Sequence, residues 1–197
     1  EPPMVKELVL KNRSCRRFRQ SRLISRQELL ELVDIARIAP SAANRQGLRY
    51  VLVHETEMRE RVFSCVRMGG YAKKLQWNGP REHERPTAYV IIVHDTQVGG
   101  NAATDLGIAA HTILLAATER GLGGCMIGNF KEKELREELA LDERYAIMLV
   151  LVLGEPAERG VLEPMEPDGS VKHWRDPEQD PDLIHIPKRK LEDIVLN

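Results

Sequence analysis

The chain has 197 residues, of which 42% are hydrophobic and 30% charged, and its formal net charge is −1. These values are typical of one soluble globular domain and argue against a disordered or fibrous chain. A net charge near zero gives no general attraction for nucleic acid or for an anionic membrane. The three cysteines lack paired spacing and indicate no disulfide framework.

Four elements are predicted before residue 67. Apolar residues at helical spacing indicate a short opening helix and a second helix, which begins at a capping box and is ended by Pro40. An apolar strand and a third helix follow. In chain order, the pattern predicts a helix around Val5 to Val9, a helix capped by Ser25 and Glu28, a strand from Leu48 to Val53 and a helix capped by Thr56.

The pattern breaks between Arg67 and Arg85, where glycines and polar residues surround Tyr71 and Trp77. Beyond this excursion, the apolar pattern predicts a strand buried on both faces, a central helix of small residues, an exposed charged helix and a last apolar strand. After Glu155 the chain is polar and rich in proline. These irregular stretches do not fit a doubly wound parallel sheet, so we expect a mixed α+β fold. The predicted segments are TAYVIIVH, Ala102 to Arg120, KEKELREEL and YAIMLVLVLG.

The motifs of several common chemistries are absent. The chain has no Gly-x-Gly-x-x-Gly or P-loop fingerprint, no Gly-x-Ser-x-Gly elbow and no His-x-x-x-His pair, so no metal site is predicted. The N-terminus EPPMVKELVL has no apolar signal core, and no apolar run reaches the roughly 18 residues of a membrane span. We therefore expect a cytoplasmic protein with reduced thiols and no membrane contact.

A basic arm extends from Lys11 to Arg26, with seven basic residues and no acidic one. Within it, Arg13, Ser14 and Arg16 offer guanidinium forks and a hydroxyl group, which are donors suited to a phosphate. A solvated basic turn is the simpler interpretation of this cluster alone. Contact with nucleic acid or another anionic partner is a further interpretation, although only Phe18 supplies an aromatic ring.

The junction APSAANRQ connects the second helix to the following strand and is unusually small and polar. Pro40, Ser41 and Ala42 leave room for a flat ring, and the amides of Asn44 and Gln46 match the donor and acceptor edge of a heterocycle. A capped loop is the simpler interpretation of this segment taken alone.

Two later segments also carry groups that suit a ligand. In ERGLGGCMIGNF, the glycines let the backbone approach a ligand, although a helix end and a turn would explain them as well. Cys125 in this segment fits a small packed residue better than a reactive thiol. Near the C-terminus, the basic run at 188–190 would hold an anion or simply aid solubility.

Five motifs occur in an order that resembles the FMN-dependent nitroreductase family. They are Arg-Ser-x-Arg-x-Phe, Ala-Pro-Ser-x-x-Asn-x-Gln, Gly-Leu-Gly-x-Cys, Leu-Gly-x-Pro and Pro-Lys-Arg, between Arg13 and Val195. Many members have Pro-Trp after the second motif, where this chain has Gly47-Leu48. The resemblance implies an α+β sandwich with a mostly antiparallel central sheet flanked by helices, in an intertwined homodimer with FMN at the subunit interface.

The resemblance also implies roles for the matched residues. The two basic segments would hold the FMN phosphate, the junction would line the flavin ring of the other subunit, and the segment at 126–128 would border the ring and its N5 edge. The excursion at about 67–85 would cover the substrate, and a C-terminal extension at about 157–197 would reach the partner subunit, all within one domain of residues 1–197. The implied cofactor contacts are Arg13, Ser14, Arg16, Pro40, Ser41, Ala42, Asn44, Gln46, Met126, Ile127, Gly128, Lys188, Arg189 and Lys190, and the implied substrate contacts are Tyr71 and Trp77.

The implied activity is an FMN-dependent oxidoreductase. NADH or NADPH would deliver a hydride to flavin N5, and a nitroaromatic, a quinone or a similar flat acceptor would then take the electrons in a ping-pong cycle. Two alternatives stay open. One keeps the fold and the flavin but has dehalogenating or flavin-fragmenting chemistry. The other is a non-catalytic protein whose basic arm binds nucleic acid or another anionic ligand.

Overall fold

The computed structural model describes residues 4–68, 77, 79–165 and 169–197. Within these ranges, five α-helices and eight β-strands form a mixed α+β domain, as the sequence predicts. The helices are α1 Val5–Lys11, α2 Arg26–Arg37, α3 Thr56–Cys65, α4 Ala102–Glu119 and α5 Glu132–Glu138; the strands are β1 Phe18–Arg19, β2 Leu48–Val53, β3 Ala88–Asp95, β4 Gly123–Ile127, β5 Tyr145–Pro156, β6 Arg159–Pro164, β7 Trp174–Asp176 and β8 Asp180–Lys188.

The main sheet has five strands, and its strand pairs are all antiparallel. The long strand β5 lies at its centre, because it pairs with β3, β4 and β1, and β2 completes the sheet beside β3. The segment TAYVIIVH is apolar on both faces because helices cover both. One face of β3 packs with α2 and α4 in the first core, and the other packs with α3 and α5 in the second core.

Local signals place most helix ends where the sequence predicts them. The Ser25 hydroxyl accepts from the Glu28 N–H at 3.2 Å, and the Glu28 carboxylate accepts from the Ser25 N–H at 2.9 Å, which completes the capping box of α2. The prediction for α3 is wrong by one residue. Glu55 occupies the N-cap position, and the Thr56 hydroxyl instead accepts from the Arg59 guanidinium at 3.0 Å.

The C-terminal part folds into a second, three-stranded sheet that the sequence analysis missed. Strand β8 lies at its centre, parallel to β6 and antiparallel to β7. This sheet contacts the basic arm of the same chain, where Arg17 donates to Asp182 at 2.7 Å. That the extension reaches a second subunit stays a prediction. Among the described helices, none is long and apolar enough to cross a bilayer.

Candidate functional site

A first cavity of about 370 Å³ opens between the basic arm, helix α4, strand β4 and the small sheet. Three groups of predicted site residues meet in it although they are distant in sequence. The basic arm supplies Arg13, Ser14 and Arg16, β4 supplies Met126, and the end of β8 supplies Lys188. The structure therefore brings four of the predicted phosphate contacts together, namely Arg13, Ser14, Arg16 and Lys188.

Each of the two arginines in this cavity has a side-chain donor without a hydrogen-bond partner. The Nε atoms of Arg13 and Arg16 are buried and have no hydrogen-bond partner. No described carboxylate forms an ion pair with either side chain, and burial lowers the pKa of Arg13. Because buried donors are normally satisfied, this arrangement fits an anion with several acceptor oxygens.

The neighbouring arginines of the basic arm are used within the chain. Arg17 is ion-paired with Glu84 at 2.6 Å and with Asp182 at 2.7 Å, and its hydrogen bond with Glu84 is the main cause of its raised pKa. Arg22 is ion-paired with Glu28. These pairs neutralise part of the arm, which disfavours the uniform basic surface that a nucleic-acid contact requires.

Glu158 is a buried residue of this site that the sequence analysis missed. Its side chain is 1% exposed and is ion-paired with Arg175 of β7. Its carboxylate also accepts from the backbone N–H of Arg16 at 2.6 Å. It therefore ties the basic arm to the small sheet at the wall of the cavity. A single glutamate in a polar stretch gives no sequence signal, because its burial depends on a sheet that forms around it.

The two cysteines near the cavity are packed thiols. Burial, together with the charge of Glu158, raises the pKa of Cys15 to about 12. Burial also raises the pKa of Cys125. Both groups therefore stay protonated near neutral pH, which agrees with the prediction of a structural Cys125.

The glycine-rich segment mainly ends helix α4 and packs strand β4. Gly121 has a φ of 73°, which suits the residue after a helix. A Cβ at Gly123 would lie 2.7 Å from the Pro156 side chain, and one at Gly124 would lie 2.3 Å from the Val152 carbonyl oxygen. Packing within the chain therefore explains both glycines, but Gly124 also lines the first cavity, so a role beside a ligand stays a prediction for it.

Strand β4 nevertheless presents one side chain to the cavity. Met126 is 39% exposed and lines the cavity, whereas Ile127 is 5% exposed and packs in the second core. This alternation is expected of an extended strand. Only the backbone of Ile127 is therefore suited to a ligand contact, and that this segment borders a flavin stays a prediction. Gly128 follows the strand and is exposed, with no atom within 4 Å of a Cβ built on it.

Of the three basic residues near the C-terminus, only Lys188 lines the first cavity. Lys188 lines it together with Ile184 and Ile186, which share one face of β8. Arg189 and Lys190 lie beyond the end of this strand, are exposed, and are not among the lining residues. Lys188 is thus the better placed of the alternatives for an anion contact.

The junction lies elsewhere and has an unusual backbone. Ala43, Asn44 and Gln46 have φ values of 51°, 51° and 53°, in the left-handed region that residues other than glycine rarely adopt. The Ser41 hydroxyl accepts from the Gln46 N–H at 3.3 Å. Such strain is concentrated at functional sites, where the surrounding structure must maintain it.

A second cavity of about 210 Å³ lies behind the junction. Pro40, Ser41 and Gln46 line it, together with Tyr50 of β2 and Asp105 of α4. It shares no lining residue with the first cavity, so the structure does not bring the junction to the phosphate contacts within one chain. Ala42 and Asn44 are exposed and are not among its lining residues.

Of the two predicted substrate contacts, the structure describes only Trp77. Tyr71 lies outside the described residues. Trp77 is half-buried, belongs to no helix or strand and does not line the first or the second cavity. The residues that the structure describes contain no group of three or more acidic, histidine or cysteine side chains arranged for a metal ion.

The sequence model of the nitroreductase family matches residues 9–155, which is most of the chain. The chain belongs to the nitroreductase family. It is 24% identical to YodC of Bacillus subtilis (strain 168), provisionally named an NAD(P)H nitroreductase, over 84% of this chain and 96% of that protein. It is 26% identical to an NADPH-flavin oxidoreductase of Vibrio harveyi, over 85% of this chain and 72% of that protein.

Solved structures support the same fold. A nitroreductase structure from Exiguobacterium sibiricum 255-15, determined with FMN bound, has a TM-score of 0.68 and 17% identity, and the match covers 88% of this chain and 98% of that one. A nitroreductase family protein from Clostridium difficile 630 has a TM-score of 0.64 and 22% identity, over 79% of this chain and 86% of that one.

This member of the nitroreductase family departs from the common pattern at Gly47-Leu48, and the structure gives a reason. A Cβ at Gly47 would lie 2.9 Å from Nε2 of His94 and 3.2 Å from the Val98 side chain. Gly47 also accepts the backbone N–H of Asp95 through its carbonyl at 2.9 Å. The end of β3 therefore packs directly against the junction, where a bulkier residue would clash.

Proposed function

We propose that the chain is an FMN-dependent NAD(P)H oxidoreductase, acting as a homodimer, that reduces nitroaromatics, quinones or similar flat acceptors in a ping-pong cycle. The observation that carries this proposal is the pair of guanidinium groups, Arg13 and Arg16, with buried and unpartnered Nε atoms in one cavity of a nitroreductase fold. Relatives named as an NADPH-flavin oxidoreductase and as an NAD(P)H-dependent FMN reductase support the expected flavin and electron donor.

The first cavity fits the phosphate end of FMN. Arg13 and Arg16 would donate from their free Nε atoms, the exposed Ser14 would add a hydroxyl donor, and Lys188 would add a charge from the end of β8. Several charge-assisted hydrogen bonds of this kind make a strong anion site. Glu158 would assist them indirectly, because it fixes the backbone at Arg16.

The chain's own residues would bind and orient FMN, which supplies hydride transfer when bound. Met126 offers an exposed thioether and apolar surface to the ring, and the backbone at 127–128 offers polar groups at its edge. The junction would cover the ring of the other subunit with small side chains and the Asn44 amide. No protein nucleophile or general base is assigned.

The first experiment is the visible absorption spectrum of the purified protein, recorded before and after anaerobic addition of NADPH or NADH. We expect a two-banded flavin spectrum that bleaches, and parallel double-reciprocal plots when donor and acceptor concentrations are varied. A colourless protein that does not take up added FMN would overturn the proposal. Slow bleaching, or oxygen-dependent loss of the flavin, would redirect it to the other chemistries of the fold.

A sharper test of the phosphate site compares FMN with riboflavin, which has no phosphate. We expect Arg16→Gln to weaken FMN binding by about 1.5–3 kcal/mol, as for a lost hydrogen bond to a charged group, and to leave riboflavin binding unchanged. Isothermal titration of the apoprotein with each flavin measures both. Arg19→Gln is the matched control, because Arg19 is an exposed arginine of the same arm outside the cavity. An equal loss for both flavins would contradict the assignment.

A further inference from the structure

We infer that Asp105 is a positioning residue for the flavin, because its carboxylate holds the junction in the strained conformation that presents Ser41 and Asn44. This inference rests on the proposed function, since the junction is a flavin contact only if the chain binds FMN. Asp105 would not touch the flavin. It would act through the backbone of Ala42.

The junction needs an external restraint. Ala43, Asn44 and Gln46 are non-glycine residues in the left-handed region within four positions of one another. Each such residue costs of the order of a kcal/mol or more relative to ordinary backbone. The local bonds of the turn, such as Asn44 N–H to the Ser41 carbonyl at 3.0 Å, restrain its shape but do not fix it to the rest of the fold.

Asp105 supplies that restraint from a neighbouring helix. Its carboxylate accepts from the backbone N–H of Ala42 at 2.8 Å, across 63 positions of sequence. Asp105 is only 8% exposed, so water competes little for this charge-assisted bond. It also lies in the first turn of the 18-residue helix α4, where the helix dipole favours a negative charge.

The two ends of the junction are held differently. Asp105 holds its beginning at Ala42, and Arg49 of β2 holds its end by donating to the Gln46 carbonyl at 2.8 Å. Between these two anchors lie the left-handed residues Ala43 and Asn44, both exposed. Removal of the first anchor would therefore release the segment that carries Asn44, while β2 itself would stay in place.

A double-mutant cycle with Asp105→Ala and Ala42→Pro tests this link from both sides. Proline removes the Ala42 N–H without touching Asp105, and Ser41, with φ −131° and ψ 155°, already has the conformation that a following proline requires. We expect each single change to weaken FMN binding roughly ten- to a hundredfold and to shift the visible spectrum of the bound flavin. The double variant should bind no worse than the weaker single one.

Two further variants separate positioning from general stability. Asp105→Asn keeps an acceptor oxygen and should recover most of the affinity and the wild-type spectrum. Glu28→Gln removes the charge of another carboxylate, which is ion-paired with Arg22 at the start of α2, the end of that helix farther from the junction. It should lower the free energy of unfolding and leave the FMN dissociation constant and the spectrum unchanged.

These experiments separate a failure of the Asp105 inference from a failure of the proposed FMN-dependent function. If the wild type binds FMN and folded Asp105→Ala binds it equally well with the same spectrum, the inference fails and the proposed function stands. Fully additive losses in the cycle would also overturn it. If Asp105→Ala does not fold, Ala42→Pro and Asp105→Asn decide the question by the same readouts. A wild type that binds no FMN overturns both proposals.

Discussion

At the scale of single residues, the nearest carboxylates decide what each arginine of the basic arm does. Arg16 and Arg17 are adjacent, yet Arg17 is ion-paired with Glu84 and Asp182, whereas Arg16 keeps a free Nε inside a cavity. Glu158 accepts from the backbone of Arg16, and no described carboxylate is ion-paired with the Arg16 guanidinium. A cluster of arginines in the sequence therefore indicates an anion site only once it is known which of them form ion pairs within the chain.

The buried pair of Glu158 and Arg175 should matter more for stability than an exposed pair in the same small sheet. We expect Glu158→Gln to lower the free energy of unfolding by about 1.5–3 kcal/mol, because it weakens two hydrogen bonds to a buried charge. The comparison is Arg159→Gln, which breaks an ion pair with Asp180 whose side chains are 65% and 31% exposed. That change should cost at most about 1 kcal/mol. Urea unfolding at pH 7 measures both, and equal losses would contradict the expectation.

At the scale of elements, sequence pattern predicted the parts whose signal is local. Helix α2 was predictable because Ser25 and Glu28 form its capping box, and β3 because a run of apolar residues fits a strand covered on both faces. Strands β6 to β8 were not predictable. Their sequences show no clear apolar alternation, β6 and β8 contain Pro164, Pro181 and Pro187, and β7 has only three residues. The three strands form one sheet by pairing with β8 at its centre.

The same limit applies to the candidate site. Arg13 and Lys188 could be predicted because each lies in a short basic motif. Glu158 and Asp105 could not, because their roles depend on contacts with Arg16 and Ala42 that the sequence does not reveal. Motifs thus identified side chains that point into the cavity, and missed the carboxylates that hold the surrounding backbone.

The capping box of α2 should give the stability of the protein a defined pH dependence. The hydrogen bond with Arg22, ahead of bonds from Ser25, lowers the pKa of Glu28 to about 2 from its ordinary value of 4.5. The ionised form is therefore favoured in the folded state. Its contribution is complete above pH 4.5 and is lost as the pH falls towards 2.

Glu28→Gln tests this dependence, because glutamine can still close a capping box but carries no charge. We expect the variant to be less stable than the wild type at pH 7 by up to about 1 kcal/mol, since the ion pair is partly exposed. The difference should shrink as the pH falls from 4.5 towards 2 in denaturant titrations. A difference that is constant over this range would show that the charge of Glu28 is not responsible. Ser25→Ala is the control, because it removes the cap hydroxyl and keeps the charge of Glu28.

At the scale of the whole molecule, helix α4 connects the two cavities. Asp105, near its start, borders the second cavity, and His111, farther along, borders the first. Gly107 lies between them, is exposed, and has no atom within 4 Å of a Cβ built on it. A glycine inside a helix costs about 0.5–1 kcal/mol relative to alanine, and no described residue packs against Gly107 closely enough to explain that cost. Close approach of a second subunit would offset it.

Gly107 and His111 are one helical turn apart and share a face, so a subunit that packs at Gly107 would also border the mouth of the first cavity. We therefore expect Gly107→Trp to convert the proposed dimer to a monomer in analytical ultracentrifugation and to weaken FMN binding at the same time, because half of each flavin site would be lost. Gly107→Ala should leave the dimer largely intact. Glu134→Trp, which places the same ring at an exposed position of α5, should change neither property. A Gly107→Trp variant that remains dimeric with unchanged FMN affinity would place the subunit contact on another surface and separate it from the cavity.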